Sequence, residues 1–306
     1  MTGPADDALI TGAVLLLAGF AYAAWSDLRE REVTDLLWQL LGVAGFLLGF
    51  VVVSPGGLLP IALWLVVGAF VLQHLFAWDV RLGSTGERYA DLIEVAVYVL
   101  VVAFVGYEVV RVGIGPAAVP VSVAAVLVTV LFARGLFEGG ILFGGADAKA
   151  LMIAGLLVPM FPYPVLPPPS AAAPITTLFP FGVNVLMNSA LISVAIPIAI
   201  AVRNVRAGEF RGLAGFVGYT IPVDDLPRKY VWVRDPMFGA AREEEKSIET
   251  SEDDRRRREA IAEQLRAKGV RRVWVTPQIP FLVVMAVGVV AALLVGNALF
   301  DLLLSL

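Results

Sequence analysis

Long apolar stretches, many close to the roughly 20 residues that cross a bilayer, recur along the chain between short polar breaks. The pattern predicts eight membrane spans, at about 8–25, 35–53, 58–77, 91–111, 117–135, 147–161, 182–202 and 280–302. The sixth is short and runs into prolines. Eight prolines fall within 159–180, Pro167-Pro168-Pro169 among them. Proline removes backbone donors and blocks helix propagation, so this stretch reads as an extended external loop or a re-entrant segment. The one polar stretch of any size is 203–279. Within it, Ser251-Glu252-Asp253-Asp254 reads as a helix start, with Ser251 as N-cap and acids in the first turn. That helix is expected to run to Lys268 and stop at Gly269. The expected fold is all-α: a polytopic helical bundle over 1–202, a soluble segment over 203–279, and a final transmembrane helix within 280–306.

Composition agrees. Of 306 residues, 58% are hydrophobic and 16% charged, and mean hydropathy is +0.82; a soluble domain carries about 25% charged residues. A net charge of −4 and a pI near 5.2 are too mild to imply nucleic acid. The chain has no cysteine, which removes disulfides, thiolate metal sites and cysteine nucleophiles. Its single histidine, His74, argues against a histidine-based metal site or a Ser-His-Asp triad. Carboxylates, hydroxyls, lysines and tyrosines are left as candidate chemistry, and no metal or cofactor is expected. The start, Met1-Thr2-Gly3-Pro4-Ala5-Asp6-Asp7, is acidic and lacks the basic n-region of a secretory signal, so the first span is expected to stay.

Charge sets the expected orientation. Of 23 Lys and Arg, sixteen lie in 203–279; the other seven are Arg29, Arg31, Arg81, Arg88, Arg111, Arg134 and Lys149. With the N-terminus outside, all but Arg111 face the cytoplasm, as the positive-inside bias prefers. Asp27, which follows the first span, and Asp147, which begins the sixth, then share the cytoplasmic face. The plasma membrane, crossed several times, is the expected location.

Asp147 stands in Phe143-Gly144-Gly145-Ala146-Asp147-Ala148-Lys149. Two adjacent glycines allow close backbone approach and unusual φ/ψ, which would admit an extended peptide. Lys149, two residues on, does not share a helical face with Asp147, yet it adds positive potential and is a candidate for orienting or charge-balancing it. The plain structural reading is an acid favoured by a helix N-terminus. Asp27 closes Ala23-Ala24-Trp25-Ser26-Asp27, and an acid at a helix end needs no special reason. Glu30, Glu32 and Asp35 alternate with Arg29 and Arg31 in a short loop and read as interfacial. Asn184 and Asn188 in the seventh span read as helix–helix hydrogen bonding rather than substrate contact. The run Arg255-Arg256-Arg257-Arg258 reads as a solvated, paired helix face, or as a contact for anionic lipid headgroups. Two carboxylates brought within a few ångströms share a proton, because both cannot ionise easily. One then takes a proton from water and the other protonates a scissile carbonyl, as in aspartic proteases. That chemistry needs nothing the composition lacks.

Four blocks resemble the archaeal preflagellin/prepilin peptidases, aspartic proteases with a G-x-G-D signature. They are Ser26-Asp27-Leu28-Arg29-Glu30-Arg31-Glu32-Val33 with Asp35 and Trp38, then Gly144-Gly145-Ala146-Asp147-Ala148-Lys149. Leu178-Phe179-Pro180 with Asn188 and Arg203-Asn204 follows, and last Val273-Trp274-Val275-Thr276-Pro277-Gln278-Ile279-Pro280. The resemblance implies a membrane aspartic endopeptidase with Asp27 and Asp147 catalytic and Gly144, Gly145, Ala146 and Lys149 shaping the substrate loop. It implies, as partners, the N-terminal signal segments of prearchaellins and type IV prepilins, cut at the cytoplasmic face of the lipid bilayer. Two features depart from the family: Ala146 replaces a glycine, and 58–112 looks like a two-span insertion. A carboxylate-relay transporter would require mid-span acids and an internal repeat, and neither is evident. A presenilin-like protease would carry Tyr before its first aspartate, where this chain has Ser26. A scaffold that docks an assembly ATPase through the soluble segment, with a dead site, is the remaining rival.

Overall fold

The computed structural model describes residues 3–76, 119–142, 144–161, 179–233 and 251–305, with isolated positions between 96 and 111. The expected span at 91–111, and with it most of the later half of the 58–112 insertion, lies largely outside the described residues. So do Phe143 and the proline-rich stretch from 162 to 178. The chain divides into two compact units: Met1–Trp25 with Val33–Ala190 and Phe281–Leu306, and Ser26–Glu32 with Leu191–Pro280.

Helices dominate. Those introduced here are α1 (Pro4–Arg29), α2 (Asp35–Val53), α3 (Leu58–Phe76), α4 (Val119–Glu138), α5 (Gly145–Leu157), α6 (Phe181–Ser193), α7 (Ala195–Arg206), α8 (Ser251–Ala267), α9 (Phe281–Leu294) and α10 (Ala298–Ser305). Among the described residues, five helical stretches are long and apolar enough to cross a membrane: Pro4–Arg29, Asp35–Gly56, Leu58–Phe76, Val121–Glu138 and Phe181–Arg206. A sixth is possible only if α9 and α10, bent by 64° at their junction, count as one span. The eight expected spans are thus not all found among the described residues.

The expected sixth span is shorter as a helix than its expected bounds. In place of 147–161 stands α5, only 13 residues long, about 20 Å at 1.5 Å per residue against a hydrocarbon core of roughly 30 Å. Every residue from Ala148 to Leu157 is buried. A helix apolar on all sides belongs inside protein, and α5 packs against α2, α4 and α9. α1 approaches so closely that a methyl group on Gly12 would collide with the Leu157 carbonyl oxygen. The helix α3 is integral to this core rather than an appendage, although it opens the expected insertion. Leu63, Trp64, Val67, Val71 and Leu75 are buried, and the Trp64 indole donates to the Phe46 carbonyl at 2.9 Å.

The last expected span, 280–302, is bent. Between α9 and α10 the chain turns at Gly296, whose φ is +84°. The buried asparagines of α6 serve this break. Asn188 Nδ2 donates to the Gly296 carbonyl at 2.8 Å, and its Oδ1 accepts from the Ala298 amide at 2.9 Å. Asn297 donates to Asn184 Oδ1 at 2.8 Å. The helix-bonding reading of Asn184 and Asn188 thereby acquires its physical reason: a broken helix leaves backbone groups that lipid cannot satisfy.

The second unit corrects the all-α expectation. It contains a three-stranded antiparallel sheet in the order β1 (Tyr219–Pro222), β3 (Arg272–Pro277), β2 (Val231–Val233). Tyr219 pairs with Val275 and Val231 with Pro277. Val273 and Val275 alternate inward with Ile221 and Val231 against Ala262 and Leu265 of α8, forming a separate small core. The expected helix is present as Ser251–Ala267, and Gly269 ends it at φ +72° while the Val270 amide reaches back to Leu265 O at 3.0 Å. Its arginines are paired locally: Arg258 with Asp254, Arg255 with Glu259 at 3.8 Å, Arg266 with Asp224 at 2.8 Å. Of the run 255–258, Arg255 is exposed and paired, as a solvated face would be, while Arg258 is buried against Asp254.

Replacing Asn188 by Leu removes both hydrogen bonds to the break. Interhelical bonds in membranes contribute on average about 0.6 and at most about 1.7 kcal/mol each, so Asn188→Leu should lower stability by about 1–3 kcal/mol. Denaturant unfolding in detergent micelles measures it, with the exposed Ile198→Leu as a neutral control.

Candidate active site

Asp147 occupies the third position of α5, which is capped by Gly144. The Asp147 amide reaches the Gly144 carbonyl at 3.2 Å. Gly144 has φ −97° and ψ 129°, ordinary values for any residue, and Gly145 and Ala146 are already helical. The expected special backbone is therefore not the reason for glycine at 144. Space is: a β-carbon there would stand 2.8 Å from Asp147 Oδ2. The carboxylate folds back over its own N-cap, as a capping-box acid does. Ala146 in place of glycine suits this helical first turn.

Lys149 is almost wholly buried, 3% exposed. Its Nζ donates to Asp35 Oδ1 at 2.6 Å, across 114 residues of sequence. Asp35 opens α2 behind the N-cap Thr34, whose hydroxyl accepts from the Leu36 amide at 3.3 Å. A negative charge in a first turn is favoured by the helix dipole, and here it also meets a buried ammonium. Asp35 read from sequence as a loop charge; it is the observed partner that joins α5 to α2 beside Asp147.

Asp27 lies in the last turn of α1, partly buried, in the second unit with residues 26–32. A helix C-terminus disfavours a carboxylate, so nothing about the helix itself rewards an acid here. The loop beyond it is unusually constrained. Ser26 Oγ donates to the Glu32 carbonyl at 2.6 Å. Arg31 has φ +58°, the one non-glycine residue with positive φ among those described, a conformation that costs an L-residue about 1–2 kcal/mol. Burial pushes the Arg31 guanidinium below its ordinary value, while the charge of Asp27 acts in the opposite sense. The Arg31 guanidinium lies 4.8 Å from the centre of the Tyr230 ring, and Arg258 lies 5.3 Å from the same ring. Tyr230 Oη donates to the Arg29 carbonyl at 3.3 Å.

Of the six residues that sequence reading singled out, Gly144, Gly145, Ala146 and Asp147 form one helix start with Lys149 a turn deeper. Asp27 belongs to the other unit. Sequence reading missed Tyr230, whose only signal was an aromatic residue in a polar stretch; it had Asp254 as a helix-start acid and Arg258 in a basic run, without their link to each other or to Tyr230. No group of three His, Asp or Glu side chains suited to a metal ion occurs among the described residues.

Residues 212–298 match the family model described as Archaeal Peptidase A24 C-terminus Type II. The preflagellin peptidase of Methanocaldococcus jannaschii is 26% identical over 181 residues, which cover 58% of this chain and 72% of that protein. Over these stretches the chain is similar to the archaeal preflagellin peptidases. The peptidase match runs from the turn before β1 through α9, and so takes in Tyr230, Asp254 and Arg258.

The Asp35–Lys149 pair should register in a double-mutant cycle. Asp35→Asn, Lys149→Met and the double variant, unfolded in micelles, should give a coupling of about 1–3 kcal/mol, with Asp35→Asn costing more than the double variant because it leaves a buried ammonium without its carboxylate.

Proposed function

We propose that this chain is a membrane aspartic endopeptidase that removes the signal segment from prearchaellins or type IV prepilins, with Asp27 and Asp147 as its catalytic pair. The observation that carries the reading is the similarity to a preflagellin peptidase, supported by the family match over 212–298. The chain has no thiol and a single imidazole, and a carboxylate pair requires neither.

In this mechanism the two aspartates share one proton. The ionised member takes a proton from water as it attacks the scissile carbonyl. The protonated member donates to the carbonyl oxygen, and the proton taken from water passes to the leaving amine. The pair titrates as a unit, so acid and base are roles of the dyad rather than fixed labels. A peptide bond within a regular helix has its carbonyl engaged, so the substrate is extended locally at the cut. Closure on substrate then brings the dyad to working distance, a gating step of the kind common in lids and loops. Gly144 gives the Asp147 carboxylate room, and Lys149, held by Asp35, keeps the start of α5 in place.

The distribution of Lys and Arg supports an active site on the cytoplasmic face of the plasma membrane, with 203–279 on the same side.

The test is processing of a tagged prepilin or prearchaellin by membranes carrying each variant. Asp27→Asn and Asp147→Asn should each lower the rate by about 10²- to 10⁴-fold or more, while Glu30→Gln stays within severalfold of wild type. Wild-type processing by either aspartate variant would end the dyad reading. Because the native chain has no cysteine, a single cysteine at Glu30 or Gln264 reports sidedness directly: both should label only from the cytoplasmic side.

A further inference from the structure

We propose that Tyr230 is a positioning residue for the first aspartate, clamping the Ser26–Glu32 segment onto the C-terminal sheet; this rests on the reading of Asp27 as catalytic. The segment has little reason of its own to hold one geometry. It ends a helix with a carboxylate at the disfavoured pole, exposes Leu28, Arg29 and Glu30, and passes through a left-handed Arg31. Such strain persists only where surroundings over-determine it. Tyr230 supplies those surroundings. Its hydroxyl occupies the Arg29 carbonyl, one of the acceptors a helix end leaves open, at 3.3 Å. Its ring meets the Arg31 guanidinium at 4.8 Å.

Tyr230 is itself anchored. Its carbonyl accepts from the Gln278 amide at 3.0 Å. Arg258, 4% exposed, approaches the same ring at 5.3 Å. Asp254 accepts from Arg258, and from Gln278 Nε2 at 3.0 Å. A continuous set of contacts therefore runs from α8 and the end of β3 through one tyrosine to the Arg29 carbonyl and the Arg31 side chain, on either side of Glu30. Small displacements of a reacting group cost about 10- to 100-fold in rate, so the soluble fold bears on catalysis without touching substrate.

Tyr230→Leu and Tyr230→Phe in the full chain, reconstituted in liposomes, test this with two readouts. Tyr230→Leu should lower kcat for a tagged prepilin by about tenfold or more with KM unchanged, and Tyr230→Phe, which keeps the ring, should stay within a few-fold. Hydrogen exchange at 28–32 should accelerate in Tyr230→Leu while β1 and β3 keep their protection. Unchanged exchange and kcat in Tyr230→Leu would overturn the proposal, as would equal loss of protection in the strands, which would make the residue a general folding element. If the wild-type protein cleaves nothing, the peptidase reading falls, and the exchange measurement still decides whether the clamp exists.

A separate observation concerns Phe210–Val217. We infer that this turn lies in the lipid interface. Leu213 is 86% exposed and Val217 56%, with Phe210 and Phe216 about two-fifths exposed beside them. The turn follows α7 within a few residues, and α7 presents Ile198, Val202 and Val205 outward at the end of an apolar span. It is fixed to that helix: the buried Asn204 donates to the carbonyls of Gly215 and Gly218 at 2.8 and 2.7 Å. Arg206 and Arg211, both exposed, flank it as interfacial cations do. An apolar turn locked to the end of a lipid-facing helix continues the same surface, so the bilayer is its partner.

Spin labels on single cysteines at Leu213, Ile198 and Lys229, in nanodiscs of mixed neutral and anionic lipid, separate the cases. The label at 213 should resemble 198 in preferring oxygen over a water-soluble nickel chelate, and 229 should show the reverse. Water-soluble relaxation at 213 would overturn the inference. Shielding of 213 from both reagents would also overturn it, since a protein surface would then cover the turn.

Discussion

A helix of thirteen residues falls well short of a bilayer, so α5 depends on other helices enclosing it. That constraint organises the membrane unit. In lipid there is no hydrophobic drive between helices, and packing and internal hydrogen bonds must do what water does elsewhere. Small residues let neighbours close on α5: Gly12 lies against the Leu157 carbonyl, and Gly155 accommodates Thr129 of α4. A short enclosed helix has its N-terminus inside the protein's reach rather than at a span's far end, and that N-terminus carries Asp147.

The polar groups obey the same constraint. Each buried one identified here in the membrane unit has a partner with a structural task. Lys149 takes Asp35, Asn188 takes both sides of the Gly296 break, and Asn297 takes Asn184. Bonds of this kind fix register as well as stability, because no alternative partner is near in hydrocarbon. The two ends of the proposed chemistry are supported differently. Asp147 rests on a helix start that favours an acid. Asp27 stands at a helix end that does not, and its loop is held by side-chain contacts with Tyr230 and Arg31 instead.

Much was legible in the chain. Apolar runs of twenty residues identify membrane helices because no other short-range pattern demands so many consecutive apolar side chains, and α1 to α4 follow their expected bounds closely. The stop at Gly269 was readable from a glycine after a charged helix. The motif around Asp147 was readable as a helix start. The failures share a cause. Residues 147–161 look like a span because a helix buried in protein and one buried in lipid have the same composition. The break at Gly296 is hidden because its compensating asparagines lie more than a hundred residues earlier. The sheet was missed because strands of three to six residues offer too few alternations to read.

Sequence alone determined which stretches must leave water and the chemistry excluded by missing thiols and a lone imidazole, because these are properties of side chains one at a time. Tertiary structure decided which charges meet, which helix is enclosed by other helices, and that Tyr230 of the second unit meets the segment after Asp27. Those depend on pairs of residues 100 to 200 positions apart, and local pattern carries no record of which distant group a side chain will reach.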